Sequence, residues 1–166
     1  MDKTQIDYMM GTATFYINME ANSSKQTLKG TFKVKCVLSP LEYINSDSMY
    51  RELLGKTNPQ YASDYVNQLC YALSQLKYRV VSCPAWFKNI ETGIDGSSID
   101  DNILLYILDK CVEAEADYRK GIEERYDKAR EAVRKAIDDG SLNDGEEKQK
   151  EEEEEMEDDL EEWLTN

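Results

Sequence analysis

Alternation of apolar and polar residues near the N-terminus predicts two β-strands. From Thr12 onward a period of two places one apolar set on a single face, comprising Phe15, Ile17 and Met19. A polar loop follows, and a second alternating run then has an inward set of Phe32, Val34, Cys36 and Leu38. Two such runs in sequence are typical of an antiparallel hairpin with one solvated face.

Helical signals begin directly after the second strand. The segment Ser39-Pro40-Leu41-Glu42 is a capping box with proline at the first helical position, and Gly55 suits the end of that helix. Asn58-Pro59 repeats the start signal for a second helix, whose apolar stripe is Ala62, Tyr65, Val66, Leu69, Cys70, Leu73 and Leu76. The residues from Arg79 to Val81 fit either a short strand or an extended link to Pro84.

A third helix is predicted from a cap at Ser98 to about Asp139, where Gly140 stops it. At 1.5 Å per residue this helix would be roughly 60 Å long, which exceeds the width of so small a domain. Its first half is rich in large apolar residues and is expected to complete the core. Its second half has a thinner apolar stripe, so we expect it to project from the body or to lie against a partner.

These elements together predict an α+β fold. An N-terminal antiparallel β-hairpin packs on a mainly helical body, which continues into a long projecting C-terminal helix and an acidic tail. We expect residues 1–11 to be a flexible arm and residues 12–139 to form a single domain that includes the long helix, 98–139. Residues 140–166 are the acidic tail, which contains a candidate docking helix at 151–164.

The negative charge is concentrated in the tail. The whole chain has a net charge of −14, and the segment from Glu146 to Trp163 carries twelve acidic residues against two lysines. Such a tail repels nucleic acid, so direct nucleic-acid binding is not expected. One interpretation is a solvating tail. The other is a docking helix that folds on a basic groove, with anchors spaced i, i+4, i+7 and i+8 at Met156, Leu160, Trp163 and Leu164.

The chain lacks the residue patterns of catalysis and metal binding. Histidine is absent, the four cysteines include no C-x-x-C pair, and there is no phosphate-binding loop or nucleophile elbow. The run Asp95 to Asp101 lacks the alternating ligands of a calcium loop. We therefore expect no catalytic residues, no metal, no cofactor and no enzymatic activity. The absence of a signal peptide and of an apolar span predicts reduced thiols in a cytoplasm, without membrane contact.

An aromatic segment from Tyr78 to Phe87 has two interpretations. It could fill the core under the hairpin, or it could form an exposed contact patch of the kind found at interface hot spots. With the thinner half of the long helix and the tail anchors, this gives a set of candidate partner-binding residues. The set is Tyr78, Trp86, Phe87, Tyr118, Tyr126, Met156, Leu160, Trp163 and Leu164.

The middle of the chain resembles small tail-assembly and virion structural proteins of tailed bacteriophages. The resemblance covers about residues 30–120 and lies in four motifs, Leu38-Ser39-Pro40-Leu41-Glu42-Tyr43, Arg51-Glu52-Leu53-Leu54-Gly55, Tyr71-Ala72-Leu73-Ser74-Gln75-Leu76-Lys77-Tyr78-Arg79 and Pro84-Ala85-Trp86-Phe87. It implies a non-enzymatic protein that builds the tail, as a chaperone of the tape-measure protein or as a minor virion component. The implied partners are other phage structural proteins, such as the tape-measure or tail-tube protein, or further copies of the chain. The implied location is the host cytoplasm or the virion.

The acidic tail has no counterpart in that resemblance and supports an alternative. A regulatory or inhibitory protein could use such a tail to occupy a basic groove or to imitate nucleic acid.

Overall fold

The computed structural model describes residues 4–23, 25–55, 60–90 and 99–138, with residues 88–90 described by their backbone alone. It confirms the α+β fold class. Four antiparallel strands form one sheet in the order β1-β2-β3-β4. In chain order the elements are β1 Gln5–Asp7, β2 Thr12–Glu20, β3 Thr27–Lys35, α1 Pro40–Leu54, α2 Asp64–Arg79, β4 Val80–Ser82, a 3₁₀ turn Ala85–Ile90, and α3 Asp101–Asp138.

The predicted hairpin is the centre of the sheet. Strands β2 and β3 pair along their whole length, with Phe15 opposite Phe32. These two rings stack with centroids 5.8 Å apart on the face that points to the core. The inward residues that the alternation predicted are buried, apart from the half-buried Met19, whereas Tyr16 and Thr31 on the opposite face are exposed.

The start of the chain differs from the predicted flexible arm of residues 1–11. Within it, Gln5–Asp7 form the edge strand β1, which pairs with β2 at Thr12–Thr14. The turn that follows is held by the Asp7 carboxylate, whose Oδ1 accepts the backbone N–H groups of Met9 and Met10, both at 3.1 Å. A strand of three residues is too short to show a period of two, so the sequence pattern did not indicate β1.

The helix boundaries are confirmed at α1 and corrected at two later starts. Ser39 and Glu42 form the predicted capping box, and Gly55 closes α1 with a left-handed φ of 61°. Helix α2 begins at Asp64 with Ser63 as its cap, and not at Asn58-Pro59, which lie outside the described residues. Helix α3 begins at Asp101, three residues beyond the predicted cap Ser98, which also lies outside them.

The core lies between the inner face of the sheet and the first half of α3. Its buried members are Ala13, Phe15, Ile17, Phe32, Val34, Cys36, Leu76, Phe87, Ile99, Ile103, Leu104, Ile107, Cys111 and Ala114. The backbone divides into two compact units, Met1–Gly121 and Ile122–Asn166. In the second unit the described helical residues are mostly exposed. Among the residues that the structure describes, no helix has the length and apolar character needed to cross a lipid bilayer.

Candidate protein-binding surface

Helices α1 and α2 pack side by side and leave a shallow cleft along one seam. Two cross-helix hydrogen bonds fix the register, from the Tyr50 hydroxyl to Asn67 Oδ1 at 3.1 Å and from Gln75 Nε2 to Ser46 Oγ at 2.9 Å. The cavity between the helices has a volume of about 30 Å³. We call it the α1–α2 cleft, and its lining residues are Tyr43, Ser46, Asp47, Tyr50, Tyr71, Ser74 and Gln75.

Tyrosine rings form the walls of the α1–α2 cleft. Tyr43 is 63% exposed and Tyr71 is 44% exposed, so both present ring surface to solvent. The ring of Tyr50, which is half-buried, meets Tyr71 edge to face with centroids 6.3 Å apart. Tyr43 and Tyr50 share the α1 wall because side chains seven positions apart lie on one face of a helix, and Tyr71 belongs to the α2 wall.

The floor of the cleft is polar and buried. Ser46 and Ser74 are almost completely inaccessible, and Gln75 is only 4% exposed. The Ser74 hydroxyl donates to the Tyr71 carbonyl at 2.9 Å, and Gln75 Oε1 accepts from Arg79 Nε at 3.1 Å. Buried polar groups are costly unless paired, so these bonds stabilise a polar floor within a small fold.

Arg79 extends this floor into the body of the protein. Its guanidinium is buried and also donates to the Cys36 carbonyl at 3.0 Å and to Glu115 Oε2 at 2.6 Å. The other Glu115 oxygen accepts from Arg119 at 2.6 Å. Burial by itself would raise the pKa of Glu115, but the hydrogen bonds from Arg119 and Arg79 outweigh burial and hold that pKa below its ordinary value.

Large apolar side chains are also exposed on the two helices. Leu41 and Ile44 on α1 are 67% and 63% exposed, and Tyr65 and Val66 on α2 are also exposed. Ile44 follows the cleft residue Tyr43, whereas Leu41 lies on the opposite face of α1, because each residue turns an α-helix by about 100°. Exposed side chains of this size are typical of a protein contact surface.

The aromatic segment predicted as either core or contact patch is largely core. Phe87 is 3% exposed and packs edge to face on Phe32, so it is not available to a partner. Trp86 is half-buried, and its indole Nε1 donates to the Lys29 carbonyl at 2.9 Å. Tyr78 is also half-buried. Phe87 is buried because its contact with Phe32 removes apolar surface of both rings from water, which is more favourable than exposing the Phe87 ring on a short turn.

The other predicted partner-binding residues have different environments. Tyr118 is half-buried and stacks on Tyr8, with ring centroids 5.7 Å apart. Tyr126 is 67% exposed, as a contact residue requires. The tail anchors lie outside the described residues, and these are Met156, Leu160, Trp163 and Leu164. Tyr118 is not among the residues that line the α1–α2 cleft, and the roles of Tyr118 and Tyr126 in binding stay predictions.

The sequence pattern did not predict the cleft, because its lining residues come from two different helices. Its one local signal is the seven-residue separation of Tyr43 and Tyr50, which places two aromatic rings on the same helix face. The pairing of Ser46 with Gln75 spans 29 residues and has no local signature.

No family model matches this chain, and neither the curated proteins nor the solved structures include a match. Among the described residues, no group of three or more histidine, cysteine, aspartate or glutamate side chains could hold a metal ion. The chemistry of this surface therefore follows from its own geometry.

Proposed function

We propose that this chain is a non-enzymatic protein-binding module whose contact surface is the α1–α2 cleft together with the exposed side chains of α1. One observation carries the proposal, namely that α1 exposes Leu41, Tyr43 and Ile44, each by more than 60%. Tyrosine is favoured at interfaces because its ring adds contact area at low cost in side-chain entropy, while its hydroxyl tolerates water. Such a surface can bind and release partners.

The proposed partners are structural proteins of a tailed bacteriophage. This part rests on the resemblance in the motifs that include Ser39 to Tyr43 and Pro84 to Phe87. The role would be that of a tail-assembly chaperone for the tape-measure protein, or of a minor virion component, in the host cytoplasm or the virion. A chaperone of a long amphipathic helix must cover an apolar stripe reversibly, which suits an exposed aromatic surface better than a deep pocket.

The test is affinity capture of the tagged chain from cells infected by a phage that carries its gene, with mass spectrometry of the bound proteins. We expect tape-measure, tail-tube or other virion proteins with the wild type. A Tyr43→Ala and Ile44→Ser double variant should reduce their recovery at least tenfold. The matched control changes Met9→Ala and Met10→Ala, which are 95% and 69% exposed but lie on the β1–β2 turn. A chain recovered with neither virions nor tail precursors would rule out the phage role.

A second candidate function rests on the charge of the tail. Twelve acidic residues between Glu146 and Trp163 favour a regulatory or inhibitory protein that occupies a basic groove or imitates nucleic acid. Deletion of residues 146–166 separates the two functions. Loss of partner recovery with the deletion, together with full recovery with the Tyr43→Ala and Ile44→Ser variant, would favour the acidic regulator.

A further inference from the structure

We infer that the α1–α2 cleft binds the guanidinium group of an arginine side chain that the protein partner presents. This inference rests on the proposed function and names the chemistry that the surface recognises. Three tyrosines line the cleft, and two of them, Tyr43 and Tyr71, expose ring surface to solvent. Cations are attracted to the faces of aromatic rings, and the planar guanidinium also stacks on them.

The hydrogen-bonding capacity of the cleft favours a ligand that donates. The hydroxyl of the half-buried Tyr50 already donates to Asn67 Oδ1, so its oxygen offers lone pairs and no further hydrogen. Ser46 and Ser74 are almost completely inaccessible, so they support the floor of the cleft and do not meet a ligand. A guanidinium has five N–H donors and no acceptor, which makes it complementary to such a lining.

Asp47 supplies the negative charge that attracts a guanidinium to the cleft. Its Oδ2 accepts from Arg51 Nε at 2.9 Å one helical turn away, and its side chain lines the cleft. The side chains of Arg51 and Asp47 are 75% and 51% exposed, so their pair is weak and readily rearranged. An incoming guanidinium can share the carboxylate or replace Arg51. The net charge of −14 attracts basic partners over a longer range.

The size of the cleft selects a side-chain tip and not a peptide backbone. A volume of about 30 Å³ between two helices receives one planar group at its mouth, where the exposed ring of Tyr71 can flank it. An ammonium group would interact with Asp47 as a point charge but would lack the planar contact with the rings. We therefore expect arginine to bind more tightly than lysine.

A nuclear magnetic resonance titration of the ¹⁵N-labelled full chain tests this inference. The probe is N-acetyl-arginine methylamide, with the lysine and the neutral citrulline analogues as parallel arms. We expect saturable amide shifts within residues 43–50 and 71–75, an affinity severalfold lower for lysine, and one at least tenfold lower for citrulline. Asp47→Asn and Tyr71→Ala should each weaken arginine binding at least tenfold.

Two matched variants control for general effects of charge and aromatic content. Glu52→Gln removes an exposed carboxylate from the same helix, and Tyr61→Ala removes an exposed tyrosine outside the cleft. Both should bind arginine as the wild type does. Because Asp47 is on the surface, Asp47→Asn is expected to keep the wild-type spectrum, so its result does not depend on whether Tyr71→Ala folds.

The inference is overturned if citrulline binds as well as arginine, if Asp47→Asn leaves the affinity unchanged, or if no saturable shift occurs at the cleft. Its failure is distinguishable from failure of the proposed function. Loss of phage proteins in the capture experiment with the Tyr43→Ala and Ile44→Ser variant, without arginine binding, would retain the contact surface and reject the guanidinium. Arginine binding at the cleft without any captured virion protein would retain the guanidinium site and reject the phage partners.

Discussion

At Gly30 the side chain of Pro84 packs directly against the backbone of strand β3. A Cβ at this position would lie 2.1 Å from Cγ and 2.8 Å from Cβ of Pro84, well inside van der Waals contact. Directly beside it, the Lys29 carbonyl accepts the indole N–H of Trp86. The missing side chain of Gly30 therefore lets the turn that contains Pro84 lie across β3 and deliver Phe87 to the core.

We predict that Gly30→Ala destabilises the fold by about 1–3 kcal/mol, because the rigid proline ring cannot yield and the chain must shift. Urea unfolding followed by circular dichroism measures the change. Thr31→Ala is the matched control, since the neighbouring Thr31 is exposed on the other face of the sheet and its loss should cost less than about 0.5 kcal/mol. Equal stability of the two variants would contradict the tight contact.

The cysteines differ in access to solvent. Cys36 and Cys111 are fully buried, and burial raises their pKa values to about 11 and about 12. Cys83 is half-buried, with more of its surface in water. Since the thiolate is the reactive form, we predict that iodoacetamide at pH 8 modifies Cys83 in the folded protein and spares Cys36 and Cys111 until urea is added. Peptide mass spectrometry reads the sites, and rapid native labelling of Cys111 would contradict the burial.

At the scale of elements, α1 depends on its N-terminal capping box. Glu42 accepts the backbone N–H of Ser39 at 3.0 Å and also pairs with Lys35 at the end of β3. The Lys35 hydrogen bond, followed by those from Ser39, lowers the pKa of Glu42 from 4.5 to about 2. Because the folded-state pKa is depressed, this contribution is present above pH 4.5 and is lost as the pH falls toward 2.

Glu42→Gln should therefore destabilise the protein by about 1 kcal/mol at pH 7. The difference from the wild type should shrink as the pH falls toward 2, because protonated glutamate and glutamine are then both neutral. Urea unfolding at several pH values measures it. Glu52→Gln, near the other end of α1, is the control and should change stability little at any pH. A pH-independent cost for Glu42→Gln would show that charge is not involved.

Elements with a strong local signal could be predicted, and those that depend on distant partners could not. The β2–β3 hairpin follows from its period of two, and α1 follows from its capping box and Gly55. The start of α2 could not be decided locally, because Asn58 and Ser63 are both good caps. β1 is too short to show a period, and the α1–α2 cleft exists only where residues far apart in sequence meet.

At the scale of the folded unit Met1–Gly121, the hydrogen bonds of Arg79 connect several elements of the fold. It extends from α2 to the Cys36 carbonyl after β3 and to Glu115 on α3, and through Gln75 it reaches Ser46 on α1. This network fixes the floor of the cleft relative to the sheet. A binding surface on two helices needs such a brace, because its geometry must survive contact with a partner.

Loss of the Arg79 network should destabilise the fold. Arg79→Met should destabilise the protein by about 3–5 kcal/mol, because it leaves the Glu115 carboxylate short of a partner and the Cys36 carbonyl unpaired in a buried site. Arg119→Met removes the other partner of Glu115, but Arg119 is 64% exposed, so its loss should cost no more than about 1 kcal/mol. Urea unfolding at pH 7 compares the two variants, and equal costs would mean that the buried network does not brace the fold.

The same pair of variants gives the pH dependence. The pKa of Glu115 is lowered in the folded state, so its contribution to stability is complete above the ordinary value of 4.5 and is lost as the pH falls below it. Without Arg79, burial dominates and the pKa of Glu115 should rise. Arg79→Met should therefore lose less stability than the wild type on acidification from pH 5 to pH 3. An acid loss in the variant as large as that of the wild type would mean that Arg119 alone keeps Glu115 ionised and that Arg79 serves packing and not charge.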